Sequence, residues 1–255
     1  ECDFCQDGEE QYCAKGAVMT YNGKGYDGEE TKGGYSQQLV VSERFALHIP
    51  DALGLDVAAP LLCAGITTYS PLKRWGAGPG KKVAVIGMGG LGHMAVQIAN
   101  AMGAEVSVLS RTSDKQQDGA KFGAQHYYAT KDEGTLPKLK GTFDLIINTV
   151  SADLEMDDYV ALLRPLGAMV NVGLPSSPYS VRPSRLVGSS RVLAGSNIGG
   201  IAQTQEMLDF CAEKGIASVI ETISADEVNL AYDRVVSSDV RYRFVIDTAT
   251  IPDQG

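Results

Sequence analysis

An α/β fold, whose larger part is a doubly wound parallel sheet, is the fold class this sequence predicts. Three observations carry the prediction. Apolar, β-branched runs of strand length alternate with segments whose apolar residues recur at helical spacing. The first such pair is joined by a glycine-rich turn, and the flanks on both sides are short strand-like pieces separated by loops.

At the start of the chain, Cys2-x2-Cys5-x7-Cys13 has the tight spacing of a structural zinc loop. Closed zinc sites take four ligands and three stand here, so a redox C-x-x-C pair or unliganded thiols are the alternatives. Residues 16–36 are rich in glycine (Gly23, Gly25, Gly28, Gly33, Gly34) and tyrosine (Tyr21, Tyr26, Tyr35), which predicts loops and short strands. Tyr35 to Val41 alternates weakly, and Phe45-Ala46-Leu47-His48-Ile49-Pro50 predicts a strand stopped by proline, both parts of an irregular β domain. His48 is expected to be packed or solvated. The nearly uncharged stretch Asp56–Tyr69 holds Cys63, which reads as a buried thiol: inert packing by ordinary expectation, a ligand as the alternative.

From residue 82 the pattern becomes regular: strand 82–87, helix 91–102, strand 105–110, helix 114–122, strand 143–148, helix 155–163 and strand 168–172. Val83-Ala84-Val85-Ile86 runs into Gly87-x-Gly89-x-x-Gly92, and apolar Leu91, Met94, Ala95, Ile98 and Met102 follow on one helical face. Gly87 permits the tight turn, Gly89 lets the backbone approach a pyrophosphate, and Gly92 lets the helix pack against the strand, with the diphosphate at the helix N-terminus beside Gly90 and Leu91. The motif follows a strand and opens a helix, the context dinucleotide binding requires; a glycine turn without ligand is the alternative.

About twenty residues further on, where an acid would hold an adenosine ribose 2′-hydroxyl, stands Ser110-Arg111-Thr112-Ser113-Asp114-Lys115. An acid repels a 2′-phosphate, whereas Ser110, Arg111 and Lys115 can donate to one, so the phosphorylated cofactor is expected; a solvated turn is the bland alternative. Asp114 is expected to cap the next helix. Strand ends at Thr149, Val150, Val172, Gly173 and Leu174 are expected to face the cofactor, because ligands of such sheets gather at the carboxyl ends. Beyond them, Thr204 to Glu213 reads as an amphipathic helix ended by Gly215, with Cys211 as packing, and Ser218–Ile223, Ala225–Val236 and Tyr242–Asp247 read as strand, helix, strand.

Composition narrows the function classes. With 255 residues, 44% apolar and 21% charged, the chain reads as a globular protein of one to two domains, and no run is long enough to span a membrane. A net charge of -9 without a Lys/Arg stripe argues against a nucleic-acid surface. Three of five cysteines within the first thirteen residues read as metal ligands in a reducing cytoplasm rather than a disulfide framework.

Together the run Glu1-Cys2-Asp3-Phe4-Cys5 through Tyr12-Cys13, the segment Ala58-Ala59-Pro60-Leu61-Leu62-Cys63-Ala64-Gly65-Ile66-Thr67-Thr68-Tyr69 and the glycine turn resemble the cinnamyl alcohol dehydrogenase branch of the zinc-dependent medium-chain dehydrogenases. The resemblance implies a Rossmann domain over 65–200 and a GroES-like, mainly β catalytic domain split between 1–64 and 201–255. It also implies that Cys63 ligates the catalytic zinc, that Cys2, Cys5 and Cys13 hold a structural zinc, and that Thr67 and Ser196, Asn197 and Ile198 contact the nicotinamide. The chain then reads as an N-terminal truncation: a cysteine two residues before Glu1 and the other catalytic ligands would lie upstream, so these residues alone are expected to be inactive. The implied protein is a cytoplasmic homodimer, joined by edge strands near Arg191–Ser196. It would reduce aldehydes or oxidise primary alcohols of cinnamyl or broader aromatic and aliphatic type, with NADPH preferred. A zinc-free NADPH quinone or enone reductase and an inactive nucleotide-binding fragment are the rivals.

Overall fold

The structure, a computed structural model, describes residues 2–252. Glu1 and residues 253–255, at the ends of the expected domain ranges, lie outside the described residues. In chain order the described strands are β1 (Tyr21–Lys24), β2 (Glu30–Lys32), β3 (Lys82–Ile86), β4 (Glu105–Ser110), β5 (His126–Ala129), β6 (Phe143–Asn148), β7 (Leu163–Asn171), β8 (Val192–Gly195), β9 (Ile220–Ile223) and β10 (Arg243–Ile246). They fall into two compact units.

The larger unit, Cys63–Ile198 with Glu213–Ile216, contains a six-stranded sheet of order β5-β4-β3-β6-β7-β8. Every pairing in it is parallel. Counted from β3, this is the dinucleotide-binding order, and the direction of winding reverses between β3 and β6. The strands are apolar along their length because both sheet faces are covered: Val83, Ala84 and Val85 are wholly buried. The helix Gly92–Ala101 buries Met94, Ala95 and Ile98 of the face its spacing predicts, leaves Leu91 and Met102 half-buried, and also buries His93, Val96 and Ala99, so it is covered on more than one face. Ile86, Leu109, Phe143, Ile146, Val160, Leu162 and Met169 share one core cluster. Each such side chain contributes about 1.5–3 kcal/mol on full burial.

The smaller unit comprises the described residues up to Leu62, Gly199–Ala212 and those from Ala217 onward. It carries the antiparallel pair β1–β2 and the parallel pair β9–β10. Most of the helix Ile201–Lys214 belongs to it, with Met207, Leu208 and Cys211 fully buried.

Several expectations are corrected. Phe45–Pro50 is not a strand: Glu43–Phe45 forms a 3-10 turn, and the Gln205 side chain accepts from the His48 N–H and donates to the His48 carbonyl, both at 2.9 Å, taking the groups a strand partner would use. Tyr35–Val41 forms no strand, and Val40 is fully exposed. β5, half exposed and four residues long, went unforeseen because His126-Tyr127-Tyr128-Ala129 lacks an apolar run. β7 begins at Leu163 rather than 168, since Arg164-Pro165-Leu166-Gly167 breaks the apolar pattern while the chain stays paired through a register shift opposite Phe143–Leu145. The preceding helix is accordingly shorter, Met156–Val160.

Candidate functional site

The glycine turn sits where the sheet reverses, and each glycine meets different surroundings. Gly87 has φ +91°, and a Cβ there would lie 2.4 Å from Val150 Cγ1. A Cβ on Gly92 would lie 2.1 Å from the Gly87 carbonyl oxygen. Gly89, by contrast, is exposed with nothing within 4 Å of its missing Cβ. Two glycines are thus required by the protein's own packing, while the third leaves open space over the turn, with half-buried Gly90 and Leu91 leading into the ten-residue helix Gly92–Ala101.

The loop after β6 is tied to this turn. Thr149 donates to the Ile86 carbonyl through both its backbone N–H (3.1 Å) and its Oγ1 (2.7 Å), which seats Val150 beside Gly87. Val172, Gly173 and Leu174 follow β7, and a Cβ on Gly173 would lie 2.1 Å from the Val150 carbonyl oxygen. Ser196, Asn197 and Ile198 follow β8, with the Ser196 N–H donating to the Asn171 carbonyl at 3.1 Å.

Ser110 ends β4, and Arg111 and Thr112 are exposed in the turn beyond it. Lys115 leans back toward the glycine turn, where its Nζ donates to the Met88 carbonyl at 3.0 Å. Asp114 does not cap the following helix, Gln116–Lys121, whose N-cap is Lys115; its carboxylate instead accepts from Thr112 Oγ1 at 2.9 Å. From β5 the Tyr127 hydroxyl donates to the Thr112 carbonyl at 3.2 Å, and burial raises its pKa. The structure therefore brings the glycine turn, the acid-poor turn and the three loops to one end of the sheet. It adds Asn148, Asn171 and Tyr127, which sequence reasoning missed; the one available signal was asparagine ending two apolar strands.

Cys63 is exposed, not buried as its apolar neighbours suggested, because it stands at the break between the 3-10 turn Ala59–Leu62 and the helix Ala64–Arg74. Thr67 lies one helical turn on, its N–H donating to the Cys63 carbonyl at 3.0 Å, and it is only 8% exposed. An open zinc site takes three protein ligands; among the described residues Cys63, which offers one thiol, belongs to no group of three candidate ligands. The expectation for Cys211 agrees: it is fully buried, and burial pushes its thiol up to about 12.

In the smaller unit the Sγ atoms of Cys2, Cys5 and Cys13 lie within 4.8 Å of one another, and those of Cys2 and Cys5 are 3.7 Å apart. Zn–S bonds of about 2.3 Å in a tetrahedron imply an S···S edge of about 3.8 Å, so this trio fits three corners of a zinc site. The Ala14 N–H donates to Cys2 Sγ at 3.3 Å, and this bond, with that from the Cys5 N–H, brings the Cys2 thiol down to about 7, favouring the thiolate a metal needs.

Comparison with known proteins agrees with this architecture. Residues 90–213 match the family described as zinc-binding dehydrogenase. The NADP-dependent alcohol dehydrogenase C 1 of Mycolicibacterium smegmatis is 59% identical over 252 residues, covering 98% of this chain and 72% of that protein. Among solved structures, a cinnamyl alcohol dehydrogenase from Sorghum bicolor aligns with a TM-score of 0.95 at 42% identity, over 100% of this chain and 73% of the other. The CAD from Helicobacter pylori complexed with NADP(H) aligns with a TM-score of 0.90 at 39% identity, over 97% and 71%.

Proposed function

This chain belongs to the zinc-dependent medium-chain dehydrogenase family, in its cinnamyl-alcohol-dehydrogenase-like branch, and from that premise we propose an NADPH-preferring aldehyde reductase, reversible as an alcohol dehydrogenase. It is an oxidoreductase with NADP and zinc as its cofactors. The observation that carries the proposal is the open space above Gly89, between two glycines that the fold itself requires, with an acid-poor turn reaching toward it through Lys115.

In this reading the turn from Gly87 through Gly90 and Leu91 to Gly92 holds the diphosphate by backbone N–H groups and the helix terminus. Ser110, Arg111, Thr112 and Lys115 hold the adenosine 2′-phosphate. Thr149, Val150, Val172, Gly173, Leu174, Ser196, Asn197 and Ile198 line the nicotinamide half, with Thr67 at its edge. Cys63 supplies one ligand to the catalytic zinc, which when bound polarises the carbonyl oxygen as a Lewis acid. Cys2, Cys5 and Cys13 hold a structural zinc. The substrates are cinnamyl-type or broader aromatic and aliphatic aldehydes. The outer edge of β8, which ends the sheet and exposes Val192, is the surface for a homodimer, and five free thiols suit a reducing, cytoplasmic setting.

The test is turnover by the enzyme that carries this chain, with cinnamaldehyde and aliphatic aldehydes, NADPH or NADH, and metal analysis alongside. Aldehyde reduction that favours NADPH and collapses in Cys63→Ser together with loss of zinc supports the proposal. Reduction of a conjugated double bond, unaffected by zinc removal, would replace it with an enone reductase.

A further inference from the structure

Resting on that cofactor reading, we infer that Asn148 and Asn171 are positioning residues: a two-amide relay that sets the three loops assigned to the nicotinamide half. The residues are direct partners in the β6–β7 register, at the carboxyl ends of their strands. Asn148 is 2% exposed and Asn171 half-buried. The Val150 N–H donates to Asn148 Oδ1 at 3.3 Å, Asn148 Nδ2 donates to Asn171 Oδ1 at 2.9 Å, and Asn171 Nδ2 donates to the Ala194 carbonyl at 3.3 Å.

The backbone groups at the two ends fix the direction of the relay. A backbone N–H can only donate and a carbonyl can only accept, so the first amide must turn its oxygen to Val150 and the second its nitrogen to Ala194. That leaves nitrogen facing oxygen between them. An aspartate at the second position can accept from Asn148 but has nothing to give Ala194; a leucine at either position breaks both links.

The backbones of the same two residues repeat the connection. The Asn148 carbonyl accepts from the N–H groups of Val172 (3.0 Å) and Gly173 (3.1 Å), and the Asn171 carbonyl accepts from that of Ser196 (3.1 Å). Asn148 therefore binds its own loop and the next one, Asn171 binds Asn148, β8 and the loop after β8, and the relay spans Val150, Gly173 and Ser196 in one network. The turn at Ser110–Lys115 is held by other partners: Lys115 bonds Met88, Tyr127 bonds Thr112, and the N–H groups of Thr130 and Lys131 bond the Ser110 and Arg111 carbonyls. The inference follows: the relay governs the nicotinamide half of the cofactor and leaves the adenosine half untouched.

The experiment is equilibrium binding to the full chain of two probes: 2′,5′-ADP, which carries only the adenosine half, and NADPH, followed by its nicotinamide fluorescence. Asn171→Asp, which keeps the Asn148 link and sets a carboxylate oxygen against the Ala194 carbonyl, is compared with wild type, with thermal unfolding to confirm that it is folded. Expected is NADPH binding weakened about tenfold, on the scale of one polar group left unsatisfied, with 2′,5′-ADP binding unchanged. A folded variant that binds both probes as wild type does, or loses both in equal proportion, overturns the inference. Should the variant not fold, side-chain amide NMR of wild type decides: the Asn148 and Asn171 carboxamides should be protected from exchange and shift with NADPH but not with 2′,5′-ADP. Unprotected carboxamides, or equal shifts with both probes, overturn it as well. A wild-type chain that binds neither probe overturns the cofactor reading itself, and this inference with it.

Discussion

Replacing Gly89 and Gly92 separately by alanine should divide the glycine turn into a part that serves the ligand and a part that serves the fold. A methyl on Gly92 lands 2.1 Å from the Gly87 carbonyl oxygen and 2.9 Å from its carbon. Gly87 cannot easily yield, because its N–H donates to Leu109 at 2.9 Å and its φ is already +91°. Overpacking of this kind costs about 1–3 kcal/mol. At roughly 2–4 °C per kcal/mol for a domain of this size, Gly92→Ala should lower Tm by about 2–12 °C. A methyl on Gly89 meets nothing within 4 Å, and the residue lies outside the left-handed region, so Gly89→Ala should melt at or slightly above the wild-type temperature. Its unfolded chain loses freedom worth about 0.4–1 kcal/mol. On the proposed cofactor reading the same methyl stands where a pyrophosphate touches the backbone, so NADPH binding should weaken about 10- to 100-fold, or about 1.4–2.8 kcal/mol. Thermal unfolding by circular dichroism and titration by nicotinamide fluorescence read the two effects. Wild-type NADPH affinity in Gly89→Ala, or an early melt matching Gly92→Ala, would refute the reasoning.

Two further outcomes are expected. Cys13→Ser should remove one zinc per chain and lower Tm; a metal present at a hundred times its dissociation constant stabilises by about 2.7 kcal/mol, so unchanged zinc content or Tm would contradict the three-thiol site. Asp157, whose pKa is lowered by the Arg182 backbone N–H and by the Arg182 and Arg185 side chains, stabilises the fold in its ionised form. That contribution is present above the unfolded carboxylate pKa of about 3.9 and is lost as pH falls through the lower folded value, so Asp157→Asn should reduce Tm near pH 7 with the gap closing below about pH 4. A gap that widens in acid would reverse the sign.

How much of this was legible in the sequence depends on how local the cause was. The strands at 82–86, 105–110 and 143–148 are buried on both faces, so their apolar runs announced them. Gly92 answers to a clash within one strand–turn–helix unit, and the spacing exposed Gly87 with it, although Gly87 meets Val150 from the loop after β6. Phe45–Pro50 carried a strand's composition, but its backbone groups were claimed by Gln205, a side chain more than 150 residues away. The exposure of Cys63 depended on a helix starting one residue later, at Ala64. Asn148 and Asn171 were visible as residues but not as a pair, because their meeting requires the β6–β7 register, which only the folded sheet defines.

The most direct test of the central claim, that this sheet end selects a phosphorylated dinucleotide through the turn after β4, is the ratio of NADH to NADPH dissociation constants for the wild-type chain and for Arg111→Ala and Lys115→Ala. Hydrogen bonds to a charged group contribute about 1.5–3 kcal/mol each, so two of them predict a preference for NADPH of about 100-fold or more. Each substitution should cut that ratio by lowering NADPH affinity while NADH affinity stays as it was. Equal affinities in the wild type, or equal losses for both cofactors in the variants, would contradict the account.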